Sequence, residues 1–112
     1  MNKARYLWLV SSKADPEREE EYNKWYDQHV ETFFKFPGAK RIVRNKCYQP
    51  QQNPDSCPQY VVIYEFDTKE DLEAFIKSDA AEEAKKEFVE GWNDCGEFLW
   101  SGWYEPVKEL ER

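Results

Sequence analysis

The chain has 112 residues, of which 16 are basic and 23 acidic, so its formal net charge is −7. This length is typical of one domain with a real core, and the negative charge argues against nucleic acid and anionic membrane surfaces as partners. Aromatic residues make up 17% of the chain, more than a small domain needs merely to close its core.

The first two elements are predicted from alternation and helix-end signals. Residues 3–10 alternate as a strand with two mostly apolar faces, which predicts a central strand covered on both sides. The stretch 15–38 reads as one long amphipathic helix. Asp15 suits the N-cap and Pro16 the first helical position, and Pro37-Gly38 ends the run.

One face of this helix carries aromatic side chains together with the only histidine of the sequence, His29. The side chains recur at three- and four-residue spacing, which brings them onto one side of a helix. They are Tyr22, Trp25 or Tyr26, His29, Val30, Phe33 and Phe34.

The middle of the chain reads as an edge strand, a loop and a buried strand. Residues 39–48 are rich in lysine and arginine, which is typical of an edge strand. Residues 49–58 contain three prolines and form a loop. Residues 60–66 give the strongest strand signal.

The last third of the chain predicts a second helix and a final strand. Thr68 resembles a helix cap, and Ser78 restarts the helix with an apolar stripe of Ala80, Ala84, Phe88 and Val89. Residues 98–104 form the last strand, with Phe98 and Trp100 assigned to the same face.

The element order predicts an α+β fold of the ferredoxin-like βαββαβ type. Right-handed connections make it a four-stranded antiparallel sheet with two helices on one face. We expect a single domain over residues 1–106 and a polar tail over residues 107–112. Because the other sheet face is also apolar, we expect it to pack against a second copy, forming a homodimer.

The cysteines indicate the cellular compartment of the protein, and the absence of certain motifs bears on whether it binds a cofactor. Three widely spaced cysteines suit free thiols in a reducing compartment, and no apolar run is long enough for a signal peptide or a membrane span, so we expect a cytoplasmic protein. Phosphate-binding glycine loops and metal-ligand spacings are absent from the sequence. We therefore expect no metal and no cofactor, and a haem ligated by His29 is the alternative that the sequence leaves open.

The segment WYDQH at residues 25–29, followed by Pro37-Gly38, resembles the EthD-like branch of the dimeric α/β-barrel superfamily. Glu31 stands where members commonly have a proline. The resemblance implies a dimer whose two sheets close a barrel, with a pocket in each subunit between sheet and helices. Relatives include cofactor-free monooxygenases of polyketide pathways, muconolactone isomerases and polyketide cyclases, which act on small aromatic or lactone substrates.

His29 is the strongest candidate for chemistry, because only histidine has an unperturbed pKa near neutrality. It suits a general acid or base, and the alternative is a core histidine hydrogen-bonded to backbone or tyrosine. Asp27 lies two residues away and cannot face it on a helix. Tyr26 can hydrogen-bond a substrate oxygen and Trp25 can line the pocket, although both also suit core packing.

Tyr64 is the third catalytic candidate, and its role depends on which sheet face it occupies. On the face that meets the first helix it can donate to an enolate oxygen; on the other face it lies in the dimer interface. The remaining substrate-binding candidates are aromatic and have the same ambiguity between pocket, rim, core and interface. They are Tyr6, Trp8, Phe33, Trp92 and Trp100.

Two hypotheses of function follow. The first is a small cofactor-independent enzyme that uses His29 for proton transfer on a small aromatic, polyketide-like or lactone substrate, as an isomerase, cyclase or monooxygenase. The second is a non-catalytic dimeric module that binds a small aromatic ligand. The basic stretch around Arg41 and Arg44 suits either a carboxylate site or a strand edge protected against aggregation.

Overall fold

One antiparallel sheet carries three helices on one of its faces in this computed structural model, which describes residues 4–112. The strands have the order β2-β3-β1-β4. The elements are β1 Tyr6–Ala14, α1 Glu19–Phe33, β2 Ala39–Lys46, β3 Tyr60–Phe66, α2 Lys69–Phe75, α3 Asp79–Gly91 and β4 Gly96–Tyr104. This arrangement confirms the ferredoxin-like fold, with the second predicted helix present as two.

The first strand begins later and ends later than its pattern predicts. Residues 11–14, expected in a loop, continue β1, and residue 3 lies outside the described residues. The two serines there are polar, yet both are fully buried because their hydroxyls are satisfied. Ser11 Oγ donates to the Trp100 carbonyl (2.9 Å), and Ser12 Oγ lies 2.5 Å from the Tyr22 hydroxyl.

The predicted start of the first helix is wrong by about one turn. Asp15 caps a turn instead of the helix: its Oδ1 accepts from the Glu17 amide at 3.0 Å, and its carbonyl accepts from the Arg18 amide. The helix α1 then begins at Glu19 and ends at Phe33, before the predicted Pro37-Gly38 stop.

Both predicted caps of the later helices are confirmed. Thr68 Oγ1 accepts from the Asp71 amide and Ser78 Oγ from the Ala81 amide, each at 3.1 Å. The predicted apolar stripe of α3 is wrong at its end, because Val89 is 81% exposed. The buried face of this helix consists of small residues, Ala80, Ala81 and Ala84.

Alternation along β3 decides which residues face the helices. Tyr60, Val62, Tyr64 and Phe66 are buried beneath them, whereas the intervening residues are half-buried on the opposite face. Tyr64 therefore lies on the helix side of the sheet. The predicted edge position of β2 is confirmed, since it pairs only with β3 among the described strands.

An irregularity in β4 changes the face of one aromatic residue. Ser11 pairs with Trp100 but the next residue, Ser12, pairs with Phe98, so Leu99 is an extra residue at a β-bulge. Phe98 consequently lies on the helix side, against Trp92. Its predicted assignment to the same face as Trp100 is wrong, because a bulge interrupts the two-residue period.

The face opposite the helices is apolar at its centre. Its half-buried members come from β1, β2 and β3 and are Leu7, Leu9, Val43, Val61 and Ile63. No helix within residues 4–112 is both long enough and apolar enough to cross a membrane.

Candidate active site

A pocket of about 320 Å³ lies between α1 and the helix-facing side of the sheet. The predicted histidine and both predicted tyrosines line this pocket together with other aromatic side chains. The lining residues are Trp8, Val10, Tyr26, His29, Phe33, Tyr64, Phe98, Leu99, Trp100 and Ser101. The β4 residues among them are exposed, so the pocket opens beside that strand.

His29 is held by aromatic rings on two sides. Its imidazole stacks on Trp25 with ring centroids 4.3 Å apart and 23° between the planes. Phe33 meets it edge-on at 4.7 Å. Only 9% of the residue is exposed. These contacts fix the imidazole at the pocket surface, where residues three and four positions away on α1 share its side of the helix.

A carboxylate from α3 contacts this imidazole. His29 Nδ1 lies 3.3 Å from Glu87 Oε1. The other carboxylate oxygen, Oε2, accepts a hydrogen bond from Thr32 Oγ1 at 2.6 Å. Asp27, the nearest acid in sequence, pairs with Arg44 instead. The histidine therefore has an acidic neighbour across the helix interface, 58 positions along the chain.

Burial and the Glu87 carboxylate act on the His29 pKa in opposite directions. Burial lowers the pKa because it disfavours the imidazolium, and the carboxylate raises it. Burial is the larger effect, so the pKa lies below the ordinary value of 6.5. The imidazole is consequently neutral near pH 7, which is the form that accepts a proton.

The two phenols of the pocket stay protonated. Burial raises the pKa of both Tyr26 and Tyr64, each only 1% exposed. The Arg44 guanidinium, 4.7 Å above the Tyr26 ring, opposes that effect in part. Within the described chain Tyr64 Oη has no hydrogen-bond partner, and the side chain lines the pocket. The Tyr64 hydroxyl is therefore available as a donor to an oxygen on a bound molecule. The Tyr26 hydroxyl hydrogen-bonds with the Ser12 side chain, a contact that lowers the pKa of Tyr26 and opposes the effect of burial in part.

The walls of the pocket are stacked aromatic rings. Trp8 stacks on Tyr64 with ring centroids 4.5 Å apart, and it meets Phe33 edge-on at 5.6 Å. Trp100, also predicted, contributes to the lining at the mouth. Such walls favour flat apolar molecules, and the few polar groups among them orient the ligand.

Three of the predicted substrate-binding residues lie elsewhere. Trp25 lies behind His29, and its Nε1 donates to the Glu87 carbonyl at 3.3 Å. Trp92 is 5% exposed and stacks on Phe98, so it supports the wall from within the core. Tyr6 lines a separate cavity beside α2 and β4.

The basic stretch of β2 does not reach the pocket, whose lining contains no lysine or arginine among the described residues. Arg41 pairs with Glu65 at 2.9 Å. Arg44 pairs with Asp27 at 2.6 Å and lies over the rings of three tyrosines. Residues 4–112 also contain no group of three or more side chains suited to hold a metal ion.

Sequence reasoning missed three polar residues at or beside the pocket: Glu87, Thr32 and Ser101. Glu87 had a usable signal. It follows Ala80 and Ala84 at helical spacing, so it places a carboxylate on the face that packs against α1. Thr32 lies three residues after His29 on α1 and had a similar signal. Ser101 had none, since alternation along β4 places it opposite Trp100 but does not tell which of the two faces meets the helices.

The sequence matches the model of one protein family, described as a domain of unknown function, DUF4286, over residues 5–95. That span is most of the chain. The chain belongs to the DUF4286 family. The DUF4286 match includes His29, Thr32, Tyr64 and Glu87, and it ends before β4. No curated protein matches this sequence.

Solved structures share the fold of this DUF4286 protein at low sequence identity. An EthD family protein from Bacillus halodurans is 13% identical with a TM-score of 0.66, over 94% of this chain and 100% of that one. SnoaB from Streptomyces nogalater, described as a cofactor-independent oxygenase, is 9% identical with a TM-score of 0.69, over 98% and 100%. A putative antibiotic biosynthesis monooxygenase from Bordetella bronchiseptica is 16% identical with a TM-score of 0.61, over 95% and 100%.

These likenesses confirm the expected resemblance to the dimeric α/β-barrel superfamily at the level of fold. A shared fold does not determine a reaction, so the chemistry of this chain depends on the residues of its own pocket.

Proposed function

We propose that this DUF4286 protein is a small cofactor-independent enzyme in which His29 transfers a proton on a small aromatic, polyketide-like or lactone substrate. The observation that carries the proposal is the meeting of one neutral imidazole and two protonated phenols in a single aromatic pocket. A base and a hydrogen-bond donor at one site are the minimum that enolisation requires.

The proposed first step is removal of a proton from a carbon next to a carbonyl group. His29 takes the proton, and the electron pair of the broken C–H bond moves into the carbonyl to give an enolate. Tyr64 or Tyr26 donates a hydrogen bond to the enolate oxygen. An isomerase then returns the proton from His29 to another carbon. A cyclase joins the carbanion to the carbon of a second carbonyl group, whose oxygen takes the proton back from His29. An oxygenase adds the carbanion to dioxygen, and the same proton completes a hydroperoxide.

The descriptions of three structural neighbours support this proposal. SnoaB is described as a cofactor-independent oxygenase and the Bordetella protein as a putative monooxygenase. A putative monooxygenase from Shewanella loihica, 12% identical, has the same fold with a TM-score of 0.62. Proteins described as oxygenases or putative monooxygenases therefore share this fold, and a pocket between sheet and helices suits such a use.

The charge of the lining favours an uncharged substrate. Apolar rings dominate the pocket, and a carboxylate placed among them would lose hydration without gaining an ion pair. The net charge of −7 also repels anions at longer range. We therefore propose a neutral aromatic ketone, phenol or lactone in preference to an aromatic acid.

We also propose that the protein acts as a homodimer formed through the uncovered sheet face. Leu9 and Ile63 are neighbours in register at the centre of that face, and a contiguous apolar surface of this kind usually marks an interface. Trp100 adjoins the same face at the pocket mouth. A second copy there would therefore also narrow the opening of the pocket.

Hydrogen–deuterium exchange tests the proposed proton transfer without knowledge of the natural substrate. The probe is 2-tetralone, a bicyclic ketone whose benzylic C–H next to the carbonyl is acidic, followed by NMR in deuterated buffer. We expect the protein to accelerate exchange over buffer and His29→Gln to lose roughly 10²- to 10⁴-fold of that acceleration.

Paired tyrosine variants serve as the control. Tyr64→Phe removes a phenol of the pocket and should slow exchange, whereas Tyr48→Phe removes one that is 97% exposed and should not. Exchange by the wild type no faster than by His29→Gln would overturn the enzymatic proposal. Binding of the probe without exchange would instead support the non-catalytic binding module.

A further inference from the structure

We infer that Glu87 is a positioning residue that holds His29 in the tautomer with its proton on Nδ1, leaving the lone pair of Nε2 directed at the pocket. The catalytic part of this inference rests on the proposed function. The tautomer itself does not, because it is a property of the resting protein that can be measured without any substrate.

The first step is the hydrogen-bonding capacity of each group. An ionised carboxylate only accepts hydrogen bonds, whereas a neutral imidazole has one N–H donor and one acceptor nitrogen. Since Nδ1 lies 3.3 Å from Glu87 Oε1, the neutral ring is stabilised with its proton on Nδ1. The acceptor is then Nε2, which has no hydrogen-bond partner among residues 4–112 and belongs to a side chain that lines the pocket.

The second step is how firmly Glu87 is held. Thr32 Oγ1 contacts its Oε2 at 2.6 Å, so both carboxylate oxygens are engaged from α1. The backbone of the same residue accepts from Trp25 Nε1, the ring that stacks on His29. Carboxylate, threonine and tryptophan thus tie one segment of α3 to successive turns of α1.

The third step is that the two tyrosines of the pocket carry no charge that competes with Glu87 for the proton of His29. Tyr26 lies edge-on to the imidazole at 5.9 Å and Tyr64 lines the same pocket from β3, and both phenols are neutral near pH 7. The side chains of His29 and Glu87 are 11% and 24% exposed, so water screens their contact less than it screens a surface pair. Orienting a catalytic histidine through such a carboxylate is an established device in proteins.

The test reads the tautomer directly from the two ring nitrogens. Because the sequence holds a single histidine, a long-range proton–nitrogen correlation spectrum of labelled protein gives unambiguous signals. Above the pKa of His29 we expect a protonated Nδ1 and an unprotonated Nε2. In Glu87→Gln the amide can donate to Nδ1, so we expect the population protonated at Nε2 to rise.

Two further variants separate positioning from general stability. Thr32→Val removes the contact that orients Glu87 and should shift the same two signals in the same direction, by a smaller amount. Glu83→Gln is the matched control, since Glu83 lies one turn earlier on α3 and pairs with the exposed Lys35. That variant should leave both nitrogen signals as in the wild type.

A wild-type spectrum with the proton on Nε2 would overturn the inference, as would Glu87→Gln with an unchanged tautomer. The catalytic consequence is a decrease of about 10²-fold or more in 2-tetralone exchange for Glu87→Gln, with Glu83→Gln unchanged. Expected nitrogen shifts in a wild type that fails to exchange the probe would refute the proposed function and leave the tautomer assignment intact.

Discussion

His29 owes its proposed role to its surroundings. A solvent-exposed imidazole would be largely neutral at pH 7 in any case, but this one is packed between Trp25 and Phe33 and resists protonation further. Its carboxylate neighbour Glu87 would by itself have the opposite effect. The pKa of His29 reflects the balance between burial, which lowers it, and Glu87, which raises it, and this pKa can be measured directly.

An NMR titration of the single histidine should give a pKa below 6.5, because burial outweighs the carboxylate. The unfolded chain then binds a proton in a pH range where the folded protein does not. The free energy of unfolding should consequently fall as pH falls through that range, and this contribution should be absent from His29→Gln. A pKa at or above 6.5 would contradict the burial seen here.

A residue of the site could be predicted from the sequence when the pattern that identifies it lies within a single helix or strand. His29 and Tyr26 follow from one helical stripe, and Tyr64 from a strand whose face had to be chosen by the structure. The contact between His29 and Glu87 joins positions 58 apart. No pattern within either helix specifies which turns of α1 and α3 meet.

At the scale of elements, β3 follows its pattern at both ends because an uninterrupted β-branched and aromatic run has one favourable structure. The boundaries of β1 and β4 depend on each other. Buried serines extend β1, and the bulge beside them turns Phe98 toward the helices. Alternation alone cannot predict such an interruption, because it is decided by the pairing of two strands.

The helix α3 carries Glu87, and its cap is testable. Ser78→Ala removes the side-chain acceptor for the Ala81 amide and should lower the free energy of unfolding by about 1 kcal/mol in urea titrations at fixed protein concentration. Ser56→Ala is the control, since Ser56 is exposed and its side chain makes no hydrogen bond with residues 4–112. Equal losses in both variants would refute the cap.

The whole molecule is flat, with extents of 42 × 38 × 20 Å. The shortest extent corresponds to two layers, one sheet and one layer of helices. One sheet face is therefore buried and the other is uncovered. The predicted second apolar face is the one without helices, and in the proposed homodimer a second copy would pack against it.

Analytical ultracentrifugation tests whether the protein is a dimer formed through the uncovered sheet face. Ile63→Lys places a charge at the centre of the uncovered face and should convert a wild-type dimer into a monomer, because a buried unpaired lysine is strongly disfavoured. Val89→Lys adds the same charge at an 81% exposed position on α3 and should remain dimeric. A monomeric wild type at micromolar concentration would refute the proposed interface.

The pH dependence of 2-tetralone exchange is the most direct test of proton transfer by His29. After subtraction of the buffer rate, we expect the rate to rise with pH through one ionisation and then to level off near neutrality. Its midpoint should equal the pKa of His29 measured by NMR in the same buffer, below 6.5. A midpoint that differs from that pKa, or a profile unchanged in His29→Gln, would contradict the account.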